Sequence, residues 1–398
     1  VYRFATPGAL TRDAGLLLTI ASIGGCFGVV FFSILQLYLK SIGFDSRVIG
    51  LLSMVSIVSM ASFSIPIGIL GDRLGRRNMM ILGCLLFLPS LYILLLTKSL
   101  PLLMLSFALR GLGNASFSVI MFPLYSSYFK EEEMDAAFGL MSFLNMASGS
   151  VGSLLGLAPP SMVRALDMSL SKAYWSLLAV SSVALSSILP LLLLIHPDKP
   201  GGEGFRFRLV SRDALLRFSL LRSIIGFGAG LFINLIPYYL SVKFGVESGV
   251  IGVALSATFI LSAVANLYAA RVSRVLGVFR GTLYTLSGVI PLYLGVVISP
   301  VYPLAAALYV ARTGLMSIYT TLLISMMMRM VREEERATVN SVVSLAESLS
   351  RGIGSAMGGA IMSRMLDLPG FISVSVYASA TILFYLTFKE MERSLGEA

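Results

Sequence analysis

Residues 14–39 read AGLLLTIASIGGCFGVVFFSILQLYL, a run without a single Asp, Glu, Lys, Arg or His. A helix rises about 1.5 Å per residue, so about 20 such residues cross a hydrocarbon core about 30 Å thick. The same kind of run recurs along the chain, at 47–70, 78–97, 101–129, 136–160, 173–195, 213–242, 248–270, 281–299, 302–328, 336–363 and 370–388. Of 398 residues, 57% are hydrophobic and 13% charged, where soluble domains carry about 25% charge. The expected fold class is therefore an all-α membrane protein with twelve transmembrane helices, with no room left for a separate soluble domain.

Thirty Lys and Arg face twenty Asp and Glu. These basic residues fall between the apolar runs and build no aromatic-interleaved patch, which argues against nucleic-acid binding. With Arg217, Arg222 and Arg336, which lie in the first turns of their spans, counted with the adjoining connections, twenty lie on the side of the N-terminus, seven on the other and three deeper inside helices. The positive-inside rule then predicts cytoplasmic N- and C-termini and a multi-pass protein of the cell membrane. Cys26 and Cys84 each sit inside an apolar run, so neither a disulfide nor a metal site is expected, and nothing calls for a cofactor. The first run has full length and leads directly into further spans, unlike a removable signal peptide.

Shifting the chain against itself by 202 residues, the separation of Arg110 from Arg312, reveals a duplication. Gly24, Gly28, Gly43, Ile49 and Gly50 fall on Gly226, Gly230, Gly245, Ile251 and Gly252. Gly75, Pro89 and Pro101 fall on Gly277, Pro291 and Pro303, and the run Glu131 to Glu133 falls on Glu333 to Glu335. Apolar repeats align Leu with Leu by chance, but not single arginines, prolines and a three-glutamate run at one offset. Six spans per copy is an even number, so both copies enter the membrane the same way up, as two parallel-repeat six-helix bundles. The expected division is a first bundle over 1–196, a basic linker over 197–212 and a second bundle over 213–398.

Between the second and third spans stands Gly68-Ile-Leu-Gly-Asp72-Arg73-Leu-Gly75-Arg76-Arg77. It resembles the GxxxDRxGRR signature of the major facilitator superfamily at each defining position and in the loop where that family carries it. The resemblance, with the spans and the repeat, covers essentially the whole chain. It implies a secondary transporter working by alternating access, with this loop as the cytoplasmic gate. On the residues themselves, Gly68 permits close helix approach and Asp72 is suited to exposed amides at a helix start. The family places that start near Arg336. Arg73, Arg76 and Arg77 have acidic candidates in Glu131, Glu132, Glu133 and Asp135. The second copy has Ala270 where the first has Gly68, and lacks the acid. Two patterns of the drug/proton antiporter group depart: their arginine would fall at Phe107, whereas this chain has Arg110, and Ser153 replaces the proline of the fifth span.

Ionised groups inside a bilayer cost a few kcal/mol and are functional candidates by default. Counting about 1.5 Å per residue places Arg110, Arg312 and Glu347 about 14 to 16 Å deep, with Arg351 one turn beyond Glu347. Asn340, Ser344, Glu347 and Arg351 share one face of the eleventh span; the matching face of the fifth carries Asn145. Asn114 lies one turn from Arg110, and Asn234 with Tyr238 makes a similar step. The expected substrate and proton site is therefore Arg110, Asn114, Asn145, Asn234, Tyr238, Arg312, Glu347 and Arg351. A structural Arg312–Glu347 pair is the bland alternative.

The expected function is proton-coupled movement of a small solute, by a protein acting as a monomer in the bilayer. Glu347 is the proton carrier, and the apolar cavity walls favour export. An alternative is an organic-anion or phosphorylated-solute carrier clamping its cargo with Arg110 and Arg312. A non-transporting receptor of this fold is a third reading. No nucleophile with its base, carboxylate pair or metal cluster is visible, so an enzyme is not expected.

Overall fold

A computed structural model describes residues 11–130, 133–198, 211–332 and 335–395, without the side chains of Asp135, Ala337 and 390–395. Every expected apolar run is helical, and the described residues contain no strand. Eleven helical segments among them are long and apolar enough to cross a membrane. The twelfth, α14 (Arg336–Met362), has a mixed face because Asn340, Ser344, Glu347 and Arg351 lie along it.

Glycine and proline set where these helices stop. In the first half, α2 (Ser46–Leu74) and α3 (Arg76–Leu96) are separated by Gly75 at φ 92°; in the second, α11 (Ser248–Leu276) and α12 (Val278–Ile298) are separated by Gly277 at φ 75°. Side chains disfavour that conformation, so the helices run past the expected ends at 70 and 270, to Leu74 and Leu276, until they meet it. Gly43 and Gly245, another repeat pair, also have positive φ, 99° and 62°. The duplication thus recurs as turn geometry.

Prolines break three spans that the hydropathy pattern reads as continuous. The fifth is α5 (Met134–Leu154) followed by α6 (Ala158–Leu166), which carries Pro159 and Pro160 at its start. The sixth is α7 (Leu170–Ser186) and α8 (Ile188–Leu193), around Pro190; the seventh is α9 (Arg212–Phe232) and α10 (Ile236–Lys243), around Pro237. Each proline lacks the amide needed by the carbonyl four residues earlier. The remaining helices are α1 (Arg12–Ser41), α4 (Leu100–Ser126), α13 (Tyr302–Met330) and α15 (Leu368–Leu395).

The chain forms two compact units. One comprises Val1–Ile42 with Val55–Arg206, the other Gly43–Met54 with Phe207–Ala398. In the first, α1 packs on α5 and α7, and α3 on α4, where Ser106 Oγ donates to the carbonyl of Ser90 at 2.6 Å. In the second, α9 packs on α14 and α15, and α13 on α11 and α12. The start of α2 belongs to this unit: Ser46 Oγ donates to the carbonyl of Gly359 at 3.0 Å. One end of the unit is stapled by Lys243, whose Nζ meets Asp367 Oδ1 at 2.8 Å and the carbonyl of Val297, while Tyr239 donates to the same carboxylate at 2.6 Å.

Candidate functional site: a charged cavity in the second unit and the loop after α2

Small residues bring the charges of the second unit together. A Cβ on Gly226 would fall 2.5 Å from the carbonyl oxygen of Glu347, and one on Gly230 2.2 Å from that of Arg351. From the other helix, a Cβ on Gly358 would fall 1.9 Å from the carbonyl oxygen of Leu231. Only glycine lets the α9 and α14 backbones approach this closely. Arg222 lies one turn before Gly226 on the same face of α9, so the contact delivers its guanidinium to Glu347.

Glu347 consequently has two arginine partners. Its Oε2 bonds Arg222 Nη2, and its Oε1 accepts from Arg351 Nη2 at 2.7 Å. Arg222 and Glu347 side chains are 15% and 14% exposed, Arg351 40%. The alternative of a structural Arg312–Glu347 pair is not what forms. Arg312 donates instead to Tyr377 Oη at 2.7 Å and lies against the rings of Tyr293 and Tyr377, 5.2 and 5.4 Å from their centroids. These groups border a cavity of about 270 Å³ whose walls include Arg222, Arg312, Tyr319, Glu347, Arg351 and Tyr377.

Of the expected midplane residues, this cavity gathers Arg312, Glu347 and Arg351. Tyr238 does not line it but bonds Ser46, and Asn234 lies in the bend between α9 and α10. Arg110, Asn114 and Asn145 belong to the first unit. There the Arg110 guanidinium lies over the Phe31 ring, 5.1 Å from its centroid. Arg222 was not among the expected residues. Its signal is legible: it stands ten positions into the α9 helix starting at Arg212, about 15 Å along it, with apolar Leu221, Ile224 and Ile225 around it. The repeat hides it, because its counterpart is Ile20.

The loop after α2 has its own arrangement. Asp198, in the stretch after α8, accepts from the backbone amides of Arg76 at 2.7 Å and Arg77 at 3.0 Å, closing the exposed start of α3. The Arg77 guanidinium donates to the carbonyls of Leu192 and Leu193 at the end of α8, at 3.2 and 2.9 Å. Arg76 meets Asp72 at 3.4 Å and donates to the carbonyl of Pro123 at 3.0 Å. A Cβ added to Gly68 would fall 3.4 Å from Val119 Cγ1, an ordinary van der Waals contact. Glu131, Glu132 and the Asp135 side chain lie outside the described residues. Asp198 is thus a carboxylate partner of this loop that the motif does not announce.

Beside it, His196 Nδ1 lies 3.0 Å from the buried carboxylate of Asp13. Burial, with Asp13 and Asp198 nearby, pushes the Tyr128 hydroxyl up to about 12 against the opposing charge of Arg77.

The model of the Major Facilitator Superfamily matches residues 16–355 and 218–397. The chloramphenicol resistance protein CraA of Acinetobacter baumannii is 24% identical over 249 residues, 60% of this chain and 58% of the relative. The drug efflux pump JefA of Mycobacterium tuberculosis is 29% identical over 142 residues, 36% of this chain and 26% of the relative. The matches therefore span under two thirds of these relatives' lengths. Among solved structures, a bacterial homologue of the human lysosomal transporter Spinster, inward-facing and occupied, superposes with a TM-score of 0.77 at 14% identity, over 94% of this chain and 96% of that one. The POT family transporter PepTSo gives 0.78 at 10% identity, over 96% and 98%. Similarity at that level speaks for the fold, and the family match for descent. The chain is a multi-pass membrane protein that belongs to the Major Facilitator Superfamily, whose members are transporters rather than enzymes.

Proposed function

We propose that the protein exports small organic solutes across the plasma membrane by alternating access, linked to protons through Glu347, with both termini cytoplasmic. The observation that carries this reading is the sharing of one membrane-embedded carboxylate between Arg222 and Arg351 on a cavity wall. A carboxylate in that position has two stable arrangements. Ionised, it holds both guanidiniums; protonated, it releases them and changes the charge of the cavity by one unit. Protonation thereby alters both how α9 is held to α14 and what the cavity attracts.

Export is supported by the relatives named for chloramphenicol resistance and drug efflux. Arg110 on α4, paired with no carboxylate among the described residues and set over the Phe31 ring, is in this reading a functional charge of the first bundle. Gly68, Asp72, Arg73, Gly75, Arg76 and Arg77 serve as the gate, with Asp198 fixing the start of α3.

Expression in a bacterial host stripped of its own efflux pumps tests the proposal. Accumulation of chloramphenicol, tetracycline and ciprofloxacin is measured in energised cells. The protein should lower accumulation of at least one compound, and Glu347→Gln should abolish the effect at equal membrane abundance. Unchanged accumulation of all three, or full export by Glu347→Gln, would overturn it.

A further inference from the structure

The cavity of the second unit carries more positive charge than its own carboxylate answers. Arg222, Arg312 and Arg351 line it with Glu347 as the acid, and Arg222 and Arg351 already share that acid. Arg312 is 5% exposed. One edge of its guanidinium is spent on Tyr377, while its Nε has no acceptor. On the same cavity, the hydroxyl of Tyr319, a residue 2% exposed, also has no partner, and it stands where the charges of Arg222 and Glu347 both reach it.

A buried donor left without an acceptor is destabilising, and more so when it is charged. Two such donors on one cavity wall, in a setting already short of negative charge, call for an acceptor that comes from outside the chain.

We propose that this cavity is an oxyanion subsite, in which Arg312 Nε and the Tyr319 hydroxyl donate to a carboxylate or phosphate group of a small organic solute, with Arg222 and Arg351 supplying the surrounding charge. The proposal rests on the reading of this cavity as a transport site and narrows its cargo to organic anions. The linkage to protons then has a definite sign. A proton on Glu347 removes the cavity's negative charge and strengthens anion binding, and the bound anion favours that proton in return.

Binding to purified protein in detergent tests the subsite without requiring transport. Benzoate and phenyl phosphate are the probes, benzamide the uncharged analogue, and lysophosphatidate the lipid-borne phosphate. Benzoate or phenyl phosphate should raise the unfolding temperature and bind measurably by calorimetry, whereas benzamide should do neither. Tyr319→Phe keeps the ring and removes the donor, and should weaken binding about tenfold, the equivalent of about 1.4 kcal/mol. Arg312→Lys should do the same by losing the Nε donor. Glu347→Gln should tighten binding at neutral pH.

Equal affinities in wild type and Tyr319→Phe, or benzamide binding as tightly as benzoate, would overturn the subsite. Binding of lysophosphatidate with neither small anion would overturn it in favour of a lipid headgroup. Loss of anion binding with export intact would sink the subsite alone, and anion binding with no solute export would sink the transport reading alone.

Discussion

Arg222 decides how Glu347 is held. Both side chains are about 85% withdrawn from solvent, whereas Arg351, the second partner, is 40% exposed. Removing one member of a buried pair commonly costs 3–5 kcal/mol, because the other is left charged without compensation. Here Arg351 remains to share Glu347, so Arg222→Gln should lower stability by about 2–3 kcal/mol. Arg351→Gln, at the wetter position, should cost about 1 kcal/mol or less. Thermal unfolding of the two variants in detergent checks the order; equal losses would mean that the two arginines are interchangeable.

Glu347, Arg312 and Arg351 are legible in the sequence because a charge within an apolar helix announces itself. Partnership is another matter. Which arginine meets Glu347 depends on how α9 is rotated against α14, and hydropathy carries no such information. Asp198 escaped for a related reason: a carboxylate in a polar connection has no unusual surroundings until the fold brings the amides of Arg76 and Arg77 to it.

Among elements, the α9–α14 contact is what makes the cavity. Its glycines interlock, Gly226 and Gly230 from one helix with Gly354 and Gly358 from the other, and the charged residues occupy neighbouring turns of those same faces. A methyl on Gly358 would meet the Leu231 backbone at 1.9 Å, which no rotamer change relieves. Gly358→Ala should therefore push the helices apart and cost about 1–3 kcal/mol, the range for overpacking. Because the displaced helix carries Glu347 and Arg351, the same variant should also weaken benzoate binding. Unchanged stability and binding would show the contact to be compliant.

The glycine steps were visible in the sequence, as was the pairing of Gly75 with Gly277 by the repeat. The helix breaks before Pro190 and Pro237 were less so, since proline also sits within unbroken α2, α3, α4 and α12. Local sequence gives the missing amide; whether neighbouring helices let the helix continue is decided by packing.

At the scale of the whole chain, architecture follows from few physical constraints. A bilayer admits helices of fixed minimum length, and duplication of an even-numbered unit fixes the relation of the copies. Twelve spans and two repeats were accordingly legible from composition and one offset. Function is sparser, resting on a handful of charges whose spacing on a single helix was readable and whose partners across helices were not.

The central claim is that Glu347 alternates between an arginine-held carboxylate and a protonated acid while the protein sits in its membrane. Infrared difference spectroscopy of protein reconstituted in liposomes, recorded between neutral and acidic buffer, reads that change directly and needs no solute. A protonated-carboxyl band should appear on acidification in wild type, be absent from Glu347→Gln and move to a different pH in Arg222→Gln. The same band in Glu347→Gln, or no band in wild type before the protein unfolds, would contradict it.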